Sequence, residues 1–215
     1  MSSQLETKRL TVVTHPLVQH KLSYLRDKYT PTVHFRKLTE EITLLLTYEA
    51  TKDFPTEDVE IETPLEKTVV QRISGKKVAV CPVLRAGMGM LDGVLSLVSG
   101  ARVGFIGLYR DEETLEPVEY YVKLPTDLAE RDAIVLDPML ATGNSSVAAI
   151  AKVKEAGART VTLVCLVAAP EGIERVHSEH PDVRIVTASV DRGLNERGYI
   201  VPGLGDAGDR LYGTK

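Results

Sequence analysis

The sequence predicts an α/β fold: a mostly parallel, twisted sheet flanked by helices, with a protruding β-hairpin arm and helices at the amino-terminal end. Three observations lead there. Short apolar, β-branched runs recur at Val78–Leu84, Val103–Leu108, Ala133–Leu136, Val161–Val167 and Val183–Ser189. These runs are continuous rather than alternating, the pattern of strands covered on both faces. Helix-like segments, Met88–Val98, Ser145–Ala156 and Glu171–His180, separate most of them, and strand, helix, strand at this spacing implies right-handed crossovers.

In chain order, Met1–Lys8 reads as a mobile or subunit-contacting arm. Pro16 opens a helix after Thr14 and His15, and Leu17, Val18, Leu22 and Leu25 keep helical spacing until Tyr29-Thr30-Pro31 stops it. A second helix is expected from Val33 to Ala50, with Phe35, Leu38, Ile42, Leu45 and Leu46 on one stripe. Asp53–Glu62, acidic and carrying a Pro, reads as a surface connection. After Leu108 the alternation breaks: Tyr109–Thr114 is a polar turn and Val118–Lys123 a strand running back, so residues 109–125 form a hairpin arm. Its Tyr120, Tyr121 and Val122 offer apolar surface to this chain's own core or to a second subunit. Residues 198–210 are too rich in Gly to be a helix.

At 215 residues the chain, 1–215, is read as a single domain. No apolar run approaches the ~18 residues of a membrane span, and the first ten residues lack the apolar stretch of a secretion signal. Cys81 and Cys165 both lie in apolar runs and read as buried thiols of a reducing, cytoplasmic setting. The net charge of −4, with aromatics at 5% and no Trp, argues against a nucleic-acid partner. It leaves room for a local anion pocket.

In sheets of this kind ligands bind beyond the carboxyl ends of the strands, so strand ends carry the functional reading. Asp137-Pro-Met-Leu-Ala-Thr-Gly-Asn-Ser145 follows a buried strand and leads into a helix. Thr142, Gly143, Asn144 and Ser145 supply hydroxyls, a backbone free to take positive φ and the unpaired N–H groups of a helix start, which together suit a phosphate monoester. Pro138 stiffens the entry. Asp137, an anion itself, is placed to accept hydrogen bonds from ribose hydroxyls. A capped strand–turn–helix with no ligand is the plainer alternative.

This segment resembles the phosphoribosyl pyrophosphate loop of the uracil phosphoribosyltransferases, within the type I phosphoribosyltransferases. Most type I members carry two adjacent acidic residues here; Asp137-Pro138 is a departure typical of the uracil branch. The resemblance runs from His15-Pro-Leu-Val18 to the carboxyl terminus. It implies that Asp137, Pro138, Met139, Leu140, Ala141, Thr142, Gly143, Asn144 and Ser145 contact phosphoribosyl pyrophosphate. Cys81-Pro-Val-Leu-Arg-Ala-Gly87 is similar to the family's pyrophosphate loop, with Arg85 as a forked cation. In the context Tyr109-Arg-Asp111 the resemblance makes Arg110 a second cation. Gly198–Arg210 resembles the base-binding tail: main-chain groups of Ile200, Gly205, Asp206 and Ala207 would pair with uracil, Tyr199 lies beside them, and Asp206 would also touch the ribose.

The resemblance implies displacement of pyrophosphate by a uracil nitrogen, giving uridine monophosphate, with Arg85, Asp137 and Asp206 as catalytic residues. Mg²⁺ is expected to arrive largely on the substrate's pyrophosphate, with no dedicated protein site. GTP as an activator and a homodimer or homotetramer are further expectations of the same origin; Lys76-Lys77 and Arg102 are candidate anion contacts for such an effector, with a solvated face as the plainer reading. His15, His20, His34, His177 and His180 read as surface or capping residues. Two other classes fit the sequence less well. A pyrimidine-responsive RNA-binding regulator needs a basic face with interleaved aromatics, and Lys and Arg are scattered here. A dinucleotide-binding module fails because Gly87, Gly89 and Gly93 are spaced one residue too long, and Gly203-Leu-Gly-Asp-Ala-Gly208 has too little chain after it for the required helix.

Overall fold

Two helices precede all but the first strand of the main sheet; one starts at Pro16, where the sequence places it, and the other at Thr32, one residue before the expected Val33. The computed structural model describes residues 9–76, 78–110 and 117–214; of the side chains of Arg110 and Pro117 nothing is described. The arm read at Met1–Lys8, the turn residues from Asp111 to Thr114 and Lys77 lie outside the described residues. Helix α1 spans Pro16–Arg26, with His15 Nδ1 accepting the Leu17 N–H as its cap, and α2 spans Thr32–Ala50. Val18, Leu22 and Leu25 are buried on α1, and Phe35, Ile42 and Leu46 on α2, whereas Leu17 points to solvent.

The main sheet contains β1 (Leu10–Val12), β4 (Ala79–Leu84), β5 (Arg102–Val103), β6 (Phe105–Arg110), β7 (Pro117–Lys123), β8 (Asp132–Leu136), β9 (Met139–Leu140), β10 (Thr160–Ala168) and β11 (Arg184–Val190). Its order is β1-β11-β10-β8-β4-β6-β7, with β5 paired to β4 and β9 to β10. All ladders are parallel except β6–β7, the expected hairpin, which joins the sheet as its edge. The strand read over Val103–Leu108 is split at Gly104 into β5 and β6. Helices α3 (Met88–Leu97), α4 (Asn144–Glu155) and α5 (Pro170–Glu179) connect the strands.

Alternation along the buried strands divides the core into two layers. Val80, Ile134, Leu136, Val164 and Val186 pack with α1, α2, α3 and the carboxyl-terminal tail. Ala79, Cys81, Ala133, Val135, Leu163, Cys165 and Ile185 pack with α4 and α5. Apolar residues on both sides of the same strands explain why the runs are continuous. From β4 the chain passes to β6 on one side and then back across to β8 on the other. That reversal opens a crevice at the carboxyl ends of β4 and β8.

Three elements differ from the sequence reading. Asp53–Glu62 is no mere connection: β2 (Thr56–Glu62) pairs antiparallel with β3 (Lys67–Ile73) in a two-stranded arm separate from the main sheet. Leu10–Val12 adds the edge strand β1 beside β11. In the Gly-rich tail, a pair of two-residue strands, β12 (Gly193–Leu194) and β13 (Ile200–Val201), precedes a short helix, α6 (Ala207–Tyr212). That helix forms because the Asp206 side chain caps it by accepting the Asp209 N–H at 2.9 Å, and Gly213 ends it at φ 67°. Among the described residues no helix is long and apolar enough to cross a membrane.

Candidate active site

β8 ends at Leu136, and the ladder to β10 resumes at Met139 in the same register: Leu136 faces Val164 and Met139 faces Val167. Between them Asp137 and Pro138 interrupt the strand without shifting it, because Pro has no N–H to give the ladder. The Pro138 carbonyl still accepts from Leu166 N at 3.0 Å. The Asp137 carboxylate accepts from Met139 N at 3.3 Å and from the Ser146 hydroxyl at 3.2 Å. Burial pushes its pKa up to about 6 against the lowering effect of these two bonds.

After β9 the chain turns into α4 through Gly143, in the left-handed region at φ 85°. No side chain caps this helix, so its first N–H groups face the loop, flanked by Thr142 and the exposed Ser145. Ser146, one residue on, turns inward and is buried. Pro138 and Leu140 are buried as well; the Leu140 side chain is in the core and its carbonyl accepts from Ala169 N. Met139, Ala141 and Asn144 are partly exposed.

β4 ends beside this loop. The Leu84–Arg85 peptide is cis, Arg85 is exposed, and Gly87 follows. A Cβ on Gly87 would lie 2.4 Å from the Leu136 carbonyl. Only glycine therefore lets the Arg85 loop approach the end of β8 so closely. Tyr212 of α6 donates its hydroxyl to the Arg85 carbonyl at 2.9 Å.

These segments meet around one cavity of about 480 Å³, lined by Leu84, Arg85, Ala86, Leu108, Tyr109, Tyr120, Met139, Asp206 and Gly208. Arg85, Met139 and Asp206 were expected at the site, and the fold brings them together from three separate stretches. Asp137 lies two residues before Met139. Arg110 closes β6 next to the lining residue Tyr109. Gly205 is exposed, Ala207 and Ile200 are buried, and Tyr199 is exposed. Tyr109 and Tyr120, ring centroids 6.3 Å apart, form the hairpin wall of the cavity, while Val122 packs onto the core. Neither Tyr109 nor Tyr120 was expected as a site residue, nor were Ser146 and Tyr212. The pairing of β6 with β7 was the signal that could have placed the two tyrosines.

Among the described residues no group of three or more His, Cys, Asp or Glu is arranged to hold a metal ion. The donor set near the cavity is two carboxylates, Asp137 and Asp206, with exposed hydroxyls. Mg²⁺ binds commonly through few protein oxygens, substrate phosphates and water, and these residues fit a metal carried that way.

Comparisons with known proteins agree along nearly the whole chain. The sequence model described as uracil phosphoribosyltransferase matches residues 12–214. A uracil phosphoribosyltransferase from a Thermoanaerobacter species is 60% identical over 208 residues, covering 97% of this chain and 99% of its own length. One from Streptococcus mutans is 59% identical over 207 residues, 96% of this chain and 99% of its own. A solved structure of a protein from Aquifex aeolicus superposes with a TM-score of 0.91 at 39% identity, covering 96% of this chain and 99% of that one. An adenine phosphoribosyltransferase from Thermoanaerobacter pseudethanolicus shares the fold, with a TM-score of 0.50 at 12% identity over 75% of this chain and 85% of its own.

Proposed function

Because the chain belongs to the uracil phosphoribosyltransferase family, we propose that it transfers the 5-phosphoribosyl group from phosphoribosyl pyrophosphate to uracil, releasing uridine monophosphate and pyrophosphate in pyrimidine salvage. It is a pentosyltransferase. The observation that carries the reading is the single cavity where the Arg85 loop, the segment after Asp137 and the tail at Asp206 meet.

Each residue then has a task. The N–H groups at the start of α4, with Thr142 and Ser145, hold the 5-phosphate. Arg85 faces the departing pyrophosphate and balances the charge that grows there as the bond from the anomeric carbon to that group breaks, a task the resemblance also gives to Arg110. Asp137 and Asp206 accept hydrogen bonds from the ribose hydroxyls and favour positive charge on the sugar ring. Mg²⁺, held mainly by substrate oxygens and water, supplies further neutralisation of the pyrophosphate when bound. The main chain at Ile200 and Gly205–Ala207 pairs with uracil. Cytosine is rejected because its amino group leaves such backbone groups unmatched.

Cytoplasmic residence suits the two free cysteines: burial pushes the thiols of Cys81 and Cys165 up to about 12, so both stay protonated. Assembly as a dimer or tetramer is supported by the β2–β3 arm, which presents Leu65, Val69 and Ile73 to solvent. Of the candidate contacts for GTP as an activator, Lys76 is already paired with Asp127 and Glu130, and Arg102 is exposed. One assay tests the reaction: labelled uracil, phosphoribosyl pyrophosphate and Mg²⁺ should yield labelled uridine monophosphate, and adding GTP reads activation. No product from folded protein would remove the reading.

A further inference from the structure

We propose that Arg26 and Asp191 are positioning residues for the nucleobase subsite: together they fix the main chain at Gly203 and, through it, the tail groups that face the base. The proposal rests on the reading of that tail as the uracil-binding segment.

Arg26 is the last residue of α1, and Asp191 follows the last residue of β11. Their side chains pair fork to fork, Nη2 to Oδ1 at 2.6 Å and Nη1 to Oδ2 at 2.8 Å. The same pair grips one residue of the tail on both sides. The Gly203 N–H donates to Asp191 Oδ2 at 2.8 Å, and the Gly203 carbonyl accepts from Arg26 Nη1 at 2.6 Å. Ser189 donates to Asp191 Oδ1 at 2.7 Å, so each carboxylate oxygen has two donors. The Asp191 side chain is 3% exposed. Burial would raise its pKa, but the bonds from Arg26, Ser189 and Gly203 outweigh that and hold it below the ordinary value.

Stability alone gives a weak reason for a buried ion pair, since apolar side chains of the same volume often do as well. A forked cation and a carboxylate do something apolar groups cannot: they fix the N–H and the carbonyl of one residue in a set direction. The place is tight. Gly203 has φ 58°, and a Cβ there would fall 2.1 Å from the Ile200 carbonyl. The next carbonyl, Leu204, accepts from Arg210 Nη1 at 2.8 Å, while Arg210 Nη2 bonds the carbonyl of Asp27, the residue after Arg26. The end of α1 thus holds two successive tail residues, and the chain emerges at the exposed Gly205. A shift of the clamp would move Ile200 on one side and Gly205–Ala207 on the other, while the phosphate loops at Arg85 and Asp137 lie on other strands.

The test is steady-state kinetics of Arg26→Lys and Asp191→Asn, with uracil and phosphoribosyl pyrophosphate varied in turn. Lys keeps the charge but not the fork. We expect KM for uracil to rise on the order of tenfold in each variant, and KM for phosphoribosyl pyrophosphate, which meets the tail at Asp206, to rise only about twofold to threefold. Equal rises for both substrates, or an unchanged uracil KM in a folded variant, would overturn the proposal. So would failure of both variants to fold, because the pair would then hold the fold rather than the tail. The wild-type arm keeps the two readings apart: wild type that makes no uridine monophosphate removes the activity and this inference with it, whereas active wild type with indifferent variants removes the inference alone.

Discussion

Asp137 carries an unfavourable charge in the free protein, and that has measurable consequences. Its folded pKa, about 6, lies above the ordinary 3.8. The stability it contributes is therefore fully present below pH ~4 and lost as pH rises through about 6. Asp137→Asn should abolish most turnover yet leave the fold more stable than wild type at pH 8, by about 1–3 kcal/mol, with the gap closing toward pH 4. Thermal unfolding at the two pH values checks this, and a variant that melts lower at both would contradict it. The same titration places an acid limb near pH 6 on kcat/KM, because a protonated carboxyl accepts ribose hydroxyls less well. Ser146→Ala removes the hydroxyl that favours the carboxylate, so that limb should move to higher pH, by roughly half a unit to one unit; an unmoved profile would show that the bond is idle. Asp137 was legible in the sequence because it ends a buried run before a loop of small residues. Ser146 was not: which of two adjacent serines turns inward depends on where α4 begins, and one residue of helix phase exchanges them.

At the scale of elements, the strands covered on both faces and the helices between them could be read, but the β2–β3 arm could not. Its segments carry Glu57, Glu60, Glu62, Lys67 and Arg72, and such charge reads as a loop. Paired, Glu57 lies opposite Arg72 and Glu62 opposite Lys67, so some of the charges that read as a loop face opposite charges across the ribbon, an arrangement that favours this register. A lone two-stranded ribbon is marginal in water, and this one exposes Leu65, Val69 and Ile73. Light scattering on the full chain should give a mass above 23.6 kDa, and Val69→Glu should lower it; a monomeric wild type would mean that the ribbon stands alone. The tail shows the opposite error. Gly content argued against a helix, yet Asp206 and Gly213 supply both caps, and six residues suffice for α6.

At the scale of the whole molecule, the net charge of −4 describes the surface and says little of the site. The winding of the chain across the sheet reverses at the parallel pair β4 and β8, and the anion cradle proposed there is made of backbone and a few side chains. Ligand binding should therefore act on the entire fold. Phosphoribosyl pyrophosphate with Mg²⁺ at about 100 times its Kd should stabilise the protein by ~2.7 kcal/mol. For a chain of this size that is about 5–10 °C in Tm. A melting temperature unmoved by that substrate would exclude the assigned cavity.

The bond from Tyr212 to the Arg85 carbonyl joins the segment read as holding the base to the one read as holding the pyrophosphate. A substrate that orders one of these segments would act on the other through that bond, so the two affinities are expected to be linked. Thermodynamic reciprocity then requires that the factor by which the ribosyl donor tightens the base equal the factor by which the base tightens the donor. Tyr212→Phe, which removes that hydroxyl, should bring this factor closer to one.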